Sequence, residues 1–460
     1  MNIHPVLKEV AALFNARSLE ICLVGGAVRD LIRGTNAQDW DLATNALPED
    51  VITIFRESSP RGMVIPTGIK HGTVTVHYKN RCMEITTYRT ESDYSDGRRP
   101  DSVAYTGTIE EDLGRRDFCM NAIALRLPKC EIIDPYKGTD DIKAGIIRCV
   151  GNPMERFSED GLRPLRALRF AAQLGFEIDE LTLEAIPLSL WVSALVSAER
   201  VRDEIDKIVC SAEPSRAFGL MEKTGILKLF LPEMAACRGI DQKGFHRFDV
   251  LDHSLLACDY AAREQYPREV IFAALLHDIG KPLVRKPAAQ ADGCEVWTFY
   301  RHEAESARLA REILRRLRFP NAFIENVSHL VNEHMFLYSD EWTDAAVRRF
   351  IVRIGEEHLE NIYRLRRADA YAIAGIDAGP EFLLPLAERV RGTIEAGNAF
   401  TLKNLAVSGA DLMEIGIRPG PQMGLILNEL LETVLDDPNL NKREKLLEIA
   451  GKIFQSRSER

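Results

Sequence analysis

The sequence has no apolar run near the ~20 residues that cross a bilayer, and its opening MNIHPVLKEV holds no apolar core of a secretion signal. Membrane-embedded and exported classes are set aside, and a cytoplasmic protein with no membrane partner is expected. The nine cysteines are scattered from Cys22 to Cys294 without a CxxC pair. That argues against a disulfide framework and a cysteine-rich zinc site, and it fits a reducing compartment. A basic excess is also missing, since the net charge is −10. Any polyanion must therefore be met by a local patch of Lys and Arg, not by the field of the whole molecule. There is no internal repeat or low-complexity tract. An ordinary globular composition remains, spread over 460 residues, a length that suits about three domains.

Residues 23–44, LVGGAVRDLIRGTNAQDWDLAT, carry the most chemistry. An apolar strand from Ile21 to Val24 meets Gly25 and Gly26, whose missing side chains let backbone N–H groups approach a polyphosphate. Arg29 follows in the first turns of a short helix, where a cation pairs with phosphate oxygens. Asp39 and Asp41 stand two apart, so on a strand both carboxylates face the same way. Convergent carboxylates opposite a polyphosphate suit Mg²⁺, which takes hard oxygen ligands and completes its shell with substrate phosphates. Residues 71–89 alternate with period two about Lys79, Asn80 and Arg81 and predict a hairpin. A third carboxylate is expected on a neighbouring strand; Glu84 in MEITTYR is the candidate, the alternative being a strand-surface glutamate.

From about residue 151 the pattern is helical nearly to the end. In RFSEDGLRPLRALRFAAQLGF (156–176), Asp160, Arg163, Arg166 and Arg169 recur at spacings of three, which puts them on one helical face. A carboxylate only accepts and a guanidinium only donates. Asp160 with Arg163 therefore complements an amino donor beside a ring-nitrogen acceptor, the edge shared by cytosine and adenine. Uracil and guanine would leave buried charges unpaired. Pro164 requires the helix to start near Asp160 or Gly161, or to kink there.

The 23–44 string resembles the signature of the tRNA nucleotidyltransferase and poly(A) polymerase family, a template-independent branch of the DNA polymerase beta superfamily. RRDFCMNAIA (115–124) resembles its second motif, which implies that Arg116 and Asp117 meet triphosphate and sugar. Cys119 stands where the family often has threonine, a change of packing and not of chemistry. The polar segment TESDYSDGRRPDSVAYTGTIEEDL is similar to the mobile loop linked in these enzymes to the change from C to A addition. The 156–176 motif implies that Asp160 and Arg163 act as a protein template, with Arg166 and Arg169 supporting base and phosphates. AVSGADLMEIGIRPGPQMGLILNELLETVL resembles the family's C-terminal part, read as RNA-contacting, with packing or dimerisation as the alternative.

A second constellation lies in the helical part. His253 precedes His277-Asp278, and His302, His334 and Asp369 follow. Imidazole and carboxylate together suit transition metals and generate bound hydroxide near neutral pH. The set resembles the HD phosphohydrolase superfamily; the resemblance implies helices gathered round a divalent ion such as Ni²⁺ or Mn²⁺, with phosphohydrolase action on 2′- or 3′-phosphates or cyclic phosphates. His329 and His358 read as ordinary core or surface residues.

The expected fold class is α+β: a mixed-sheet nucleotidyltransferase head followed by an extended all-α body that includes an HD domain. The expected domains are 1–150 (catalytic head), 151–235 (nucleotide-recognition neck), 236–380 (HD) and 381–460 (RNA-binding tail). The resemblance implies an enzyme that adds CCA to tRNA from CTP and ATP, using Mg²⁺ at the head, as monomer or homodimer. The alternatives are a poly(A) polymerase, an enzyme adding only A or only CC, or an HD phosphohydrolase with a non-catalytic RNA-binding head.

Overall fold

A computed structural model describes residues 3–35, 37, 39–58, 62–69, 72–92, 102–242, 247–289, 295–377, 379–397 and 401–458. It divides into two compact units, 1–236 with 316–319, and 237–315 with 320–460. The first contains a seven-stranded mixed sheet. Numbering strands in chain order as β1 (Ile21–Val24), β2 (Trp40–Thr44), β3 (Met63–Gly68), β4 (Thr73–Tyr78), β5 (Arg81–Thr87), β6 (Arg89–Ser92), β7 (Ser102–Tyr105), β8 (Ala124–Arg126) and β9 (Glu131–Ile133), the sheet order is β3-β4-β5-β2-β1-β8-β9. Only β2 and β5 pair in parallel within it; the other neighbours are antiparallel.

Hydrophobic alternation decides which side of the sheet is closed. Trp40 and Leu42 point to one face, where the helices Pro5–Asn15 and Pro48–Glu57 deliver Phe14 and Phe55, with ring centroids 6.2 Å apart. Each helix has proline in its first turn, where the missing N–H would be unpaired anyway. Cys22, Val24 and Ala43 point to the other face, which Ile109, Leu113, Cys119, Ala122 and Val150 cover in part. Asp41 shares that second face but is exposed. The predicted hairpin is β4–β5: Tyr78 pairs with Arg81, and Lys79 and Asn80 turn at φ +48° and +60°. Both turn residues at positive φ match the twist of the flanking strands.

Of the polar segment 90–113, residues 93–101 lie outside the described residues; the strands on either side of them, β6 and β7, pair antiparallel. Beyond residue 150 this unit is mainly helical, with helices Pro153–Glu159, Arg163–Leu174 and Ala198–Val209. The second unit is mainly helical, including Val250–Arg263, Arg268–Leu276, His302–Arg316, Asn321–Glu333, Asp344–Ile354 and Leu359–Ala374, with one antiparallel pair of strands, Lys286–Ala289 and Glu295–Thr298. Among the described residues no helix is long and apolar enough to cross a membrane.

Candidate active site and His/Asp cluster

Parallel pairing of β2 and β5 puts Asp41 directly beside Glu84. Asp39 is one residue before β2, and all three carboxylates are exposed. Desolvation, opposed by Arg116 and reinforced by Asp39, raises the Asp41 carboxyl above its ordinary value. Glu84 is raised as well, by desolvation and then by Asp41 and Asp39. Crowded acids whose pKa values rise are held together against their mutual repulsion, a strain that a divalent cation relieves.

Gly25 forms the facing wall at φ +68°; a Cβ there would lie 2.9 Å from Arg116 Nη1 and 3.8 Å from Asp41 Oδ2. The turn thus needs glycine twice, for its backbone and for the guanidinium it admits. Arg116 is steadied by Asp112, a fully buried carboxylate 3.4 Å from its Nη2 that also receives Arg115. Asp112 escaped the sequence reading, although its i, i+4 spacing to Arg116 was a usable signal. Four of the expected residues (Gly25, Asp41, Glu84, Arg116) therefore meet, with Asp39 at the edge.

Others are already committed to partners inside the protein. Arg29 is buried, donating to Asp30 Oδ1 and Asn121 Oδ1, each at 2.9 Å. Asp117 Oδ1 accepts from Phe118 N at 2.8 Å and Asn121 Nδ2 at 3.1 Å. Its Oδ2 accepts from Arg166 Nε and Nη2 at 2.9 and 2.7 Å. Burial alone would raise this carboxyl, but Arg166 and Asn121 hold it down to about 2. Arg169, also buried, pairs with Glu204 and with Gln173, and its guanidinium lies 3.8 Å from the Phe170 ring centroid. Arg29 and Arg166 approach the same ring at 5.2 and 5.5 Å. Cys119 is buried, and burial pushes its thiol up to about 12, so it is an inert packing group.

The Asp160/Arg163 segment departs from the expected geometry. The helix begins at Arg163, close to the expected start near Gly161, and Pro164 falls in its first turn, so it bears no penalty of an interior proline. Asp160 lies outside this helix, immediately after Pro153–Glu159, and does not share a helical face with the three arginines. Its carboxylate takes a two-point bond from Arg200, at 3.0 and 2.7 Å, and one from Leu162 N. Arg163 donates to Glu159 and to the carbonyls of Arg156 and Arg115. Arg200 and Glu204 come from the helix Ala198–Val209, and no short-range pattern announces them.

In the second unit the six expected residues come together in the interior. His253, His277, Asp278, His302, His334 and Asp369 are all at most 6% exposed. His253 Nε2 is 3.1 Å from His277 Nε2 and from Asp369 Oδ1. Asp278 faces both ways: Oδ2 is 3.5 and 3.3 Å from His253 and His277, whereas Oδ1 is 3.1 and 3.9 Å from His302 and His334. Three rings are aimed by backbone, with Nδ1 donating to the carbonyl three residues earlier: His277 to Ala274 at 2.8 Å, His302 to Phe299 at 2.9 Å, His334 to Val331 at 2.7 Å. That bond fixes the tautomer and leaves Nε2 lone pairs converging, as metal-binding histidines require. Lys281 and Arg366 back the carboxylates of Asp278 and Asp369. Gly280 lets this turn press on the next helix: its N–H donates to Ser306 Oγ at 2.9 Å, and a Cβ would lie 2.5 Å from Ser306 N and 2.8 Å from His302 O. His329, by contrast, donates to Ile354 O at 2.7 Å and packs on His358, apart from the cluster.

Comparison with known proteins covers nearly the whole chain. Residues 21–148 match the family model of the poly A polymerase head domain, 175–238 that of the RNA and SrmB-binding site of polymerase A, and 291–450 that of tRNA nucleotidyltransferase domain 2. The CCA-adding enzyme of Enterococcus faecalis is 32% identical over 453 residues, 97% of this chain and 95% of that protein. That of Geobacillus stearothermophilus is 32% identical over 425 residues, 92% and 90% of the two chains. The crystal structure of the Bacillus stearothermophilus CCA-adding enzyme in complex with CTP superposes with a TM-score of 0.73 at 28% identity, covering 99% of this chain and all of the other.

Proposed function

The chain belongs to the CCA-adding enzymes, and from that membership we infer that it is a tRNA nucleotidyltransferase, joining CMP and AMP from CTP and ATP to the tRNA 3′ end as CCA and releasing pyrophosphate. The observation that supports this most is the Asp41–Glu84 register beside Gly25 and Arg116. The family uses divalent metal, and the carboxylates here fit it: Asp39, Asp41 and Glu84 would hold Mg²⁺. Such ions supply activation of the acceptor hydroxyl and neutralisation of the triphosphate. Gly25 leaves the approach free of side chains, and Arg116 offers its planar fork to phosphate oxygens. Positioning and charge, with little protein acid–base chemistry, carry such a reaction.

Base choice rests on Asp160 and Arg163. Asp160 keeps acceptor capacity beyond its three bonds, and Arg163 keeps N–H donors beyond those held by Glu159 and the two carbonyls. Together they match the shared edge of cytosine and adenine. Asp117, Arg166 and Arg169 act by bracing this neck, and Arg29 by bracing the glycine turn.

The buried His/Asp cluster supports a second activity, a metal-dependent phosphohydrolase acting on phosphate or cyclic phosphate at RNA ends, with an ion of the Ni²⁺ or Mn²⁺ kind. His253, His277 and Asp369 would hold an ion on one side of Asp278, and His302 and His334 on the other.

Labelled CTP, ATP, UTP and GTP offered to tRNA lacking CCA, and to tRNA ending in CC, test the main reading. Two C and one A are expected; long A tracts without C would sink it. The variant His277→Ala should keep nucleotide addition and lose bound transition metal and any metal-stimulated phosphatase activity. Loss of addition in that variant would show that the cluster serves the first reaction.

A further inference from the structure

A cleft of about 780 Å³ lies at the edge of the seven-stranded sheet where β2 and β5 open. It is lined by His4 and Lys8 beside the start of the helix Pro5–Asn15, by Asp39 and Trp40, and by Arg81. Trp40 and Asp41 are adjacent on β2 and face opposite ways. The cleft therefore lies on the side of the sheet away from Gly25 and Arg116, which meet Asp41. Asp39 borders both sides: it lines the cleft, and its charge helps to raise the Asp41 and Glu84 carboxyls.

The polar lining of this cleft is mostly basic, with His4, Lys8 and Arg81 against the single acid Asp39. Among the described residues neither Lys8 nor Arg81 has a carboxylate partner, whereas the nearby Lys79 is paired with Glu9. The Trp40 ring holds two of the basic groups side by side. The Arg81 guanidinium lies 5.3 Å from its centroid, and the His4 ring lies 5.0 Å away. His4 Nδ1 accepts from Val6 N at 3.3 Å, which puts the ring proton on Nε2. That N–H meets Arg81 Nη2 at 3.4 Å, donor against donor. An anionic oxygen between the two would satisfy both, and a phosphate supplies such oxygens.

Two substrates bring phosphate to this edge, and geometry separates them. The triphosphate has Gly25 and Arg116 on the Asp41 side. In-line displacement sets the attacking and leaving oxygens on opposite sides of the phosphorus. The acceptor hydroxyl must then come to the carboxylates from the side away from the triphosphate, which is the side of the cleft.

We propose that the cleft receives the 3′-terminal stretch of the acceptor RNA, holds a backbone phosphate among His4, Lys8 and Arg81, and leads the terminal hydroxyl to Asp39. The inference rests on nucleotidyl transfer at the head and adds the path of its second substrate. In the step served, the 3′-oxygen bonds to the α-phosphorus of CTP or ATP. The bond from that phosphorus to the bridging oxygen breaks, pyrophosphate leaves, and the hydroxyl proton passes to solvent.

Steady-state addition by the full-length protein tests this. Arg81→Gln and Lys8→Gln, both at exposed positions, should each raise KM for tRNA lacking CCA about tenfold, the scale of one charge-assisted hydrogen bond. KM for CTP should keep its wild-type value. A neutral methylphosphonate, placed at each phosphodiester near the RNA 3′ end in turn, locates the contact. At one position the wild type should slow about tenfold and Arg81→Gln no further, because that charge has already lost its partner. Equal slowing of wild type and both variants at every position overturns the proposal. So does a rise in KM for CTP with that for tRNA unchanged, which would give the cleft to the triphosphate. If the wild type adds nothing to tRNA, nucleotidyl transfer itself fails and this path falls with it; if it adds CCA without the coupling, only the path is lost.

Discussion

Replacing Asp117 by asparagine distinguishes bracing from direct contact with the nucleotide sugar. The carboxylate is 8% exposed and its oxygens already accept four bonds, two of them from Arg166. Its ionised form is favoured from the usual 3.8 down to about 2, a difference worth about 2 kcal/mol. Asparagine removes that charge and turns an amide N–H₂ toward another donor, which leaves a buried group unmatched. Arg166 retains Glu204 at 3.7 Å, so the loss should sit near the lower end of the ~3–5 kcal/mol typical of a broken buried pair. Urea unfolding of Asp117→Asn, Arg166→Gln and the double variant should return a coupling of about 2 kcal/mol. Single-turnover addition with CTP and with 2′-deoxy-CTP supplies the functional arm. If Asp117 acts through Arg166, both substrates slow in the same proportion and Arg166→Gln behaves alike. Lost discrimination between the two sugars at unchanged stability would refute the bracing role and put the carboxylate on the ribose.

Three further outcomes are expected. Asp41→Ala should abolish nucleotide incorporation with the circular dichroism spectrum and the metal content of the His/Asp cluster unchanged; surviving incorporation would overturn the carboxylate assignment. Arg200→Ala frees Asp160 from its two-point partner, so incorporation of UTP and GTP relative to CTP and ATP should rise about tenfold, the scale of one misaligned hydrogen-bonding group; an unchanged ratio would mean that Asp160 is aimed without Arg200. The folded-state pKa of Asp117 is depressed, so its contribution is complete above the unfolded value near 3.8 and disappears as pH falls toward about 2. The acid limb of an unfolding titration should therefore flatten between those values in Asp117→Asn, and an identical limb would remove the linkage.

Local patterns were legible in the sequence; the partners of long side chains were not. The glycine turn, the strand carrying Asp41 and the β4–β5 hairpin depend on neighbours within a few residues, and periodicity reports those directly. The hairpin even closes without glycine, on Lys79 and Asn80. Arg166 and Arg169 show the opposite case. Their spacing was visible, but Asp117 is 49 residues away in the chain and Glu204 is 35 residues from Arg169. The two arginines that the resemblance sets beside base and phosphates thus also hold acidic partners inside the protein. Pro164 sits in a first turn, as a helix start near Gly161 requires, but Asp160 does not share that helix; it ends the preceding one. The His/Asp set gathered as expected because histidines at helix ends can be aimed by their own backbone.

Gly280 has a consequence of a metrological kind. The turn carrying Asp278 and the helix opening at His302 touch backbone to backbone, with only a hydrogen where another residue would have a methyl group. The gap between the two halves of the cluster is therefore not a matter of side-chain adjustment. Even alanine would have to shift one main chain against the other by some tenths of an ångström, the order by which preferred bond lengths of divalent ions differ. For an ion held there as proposed, that glycine would work as a gauge block, setting the size the two halves of the cluster accept.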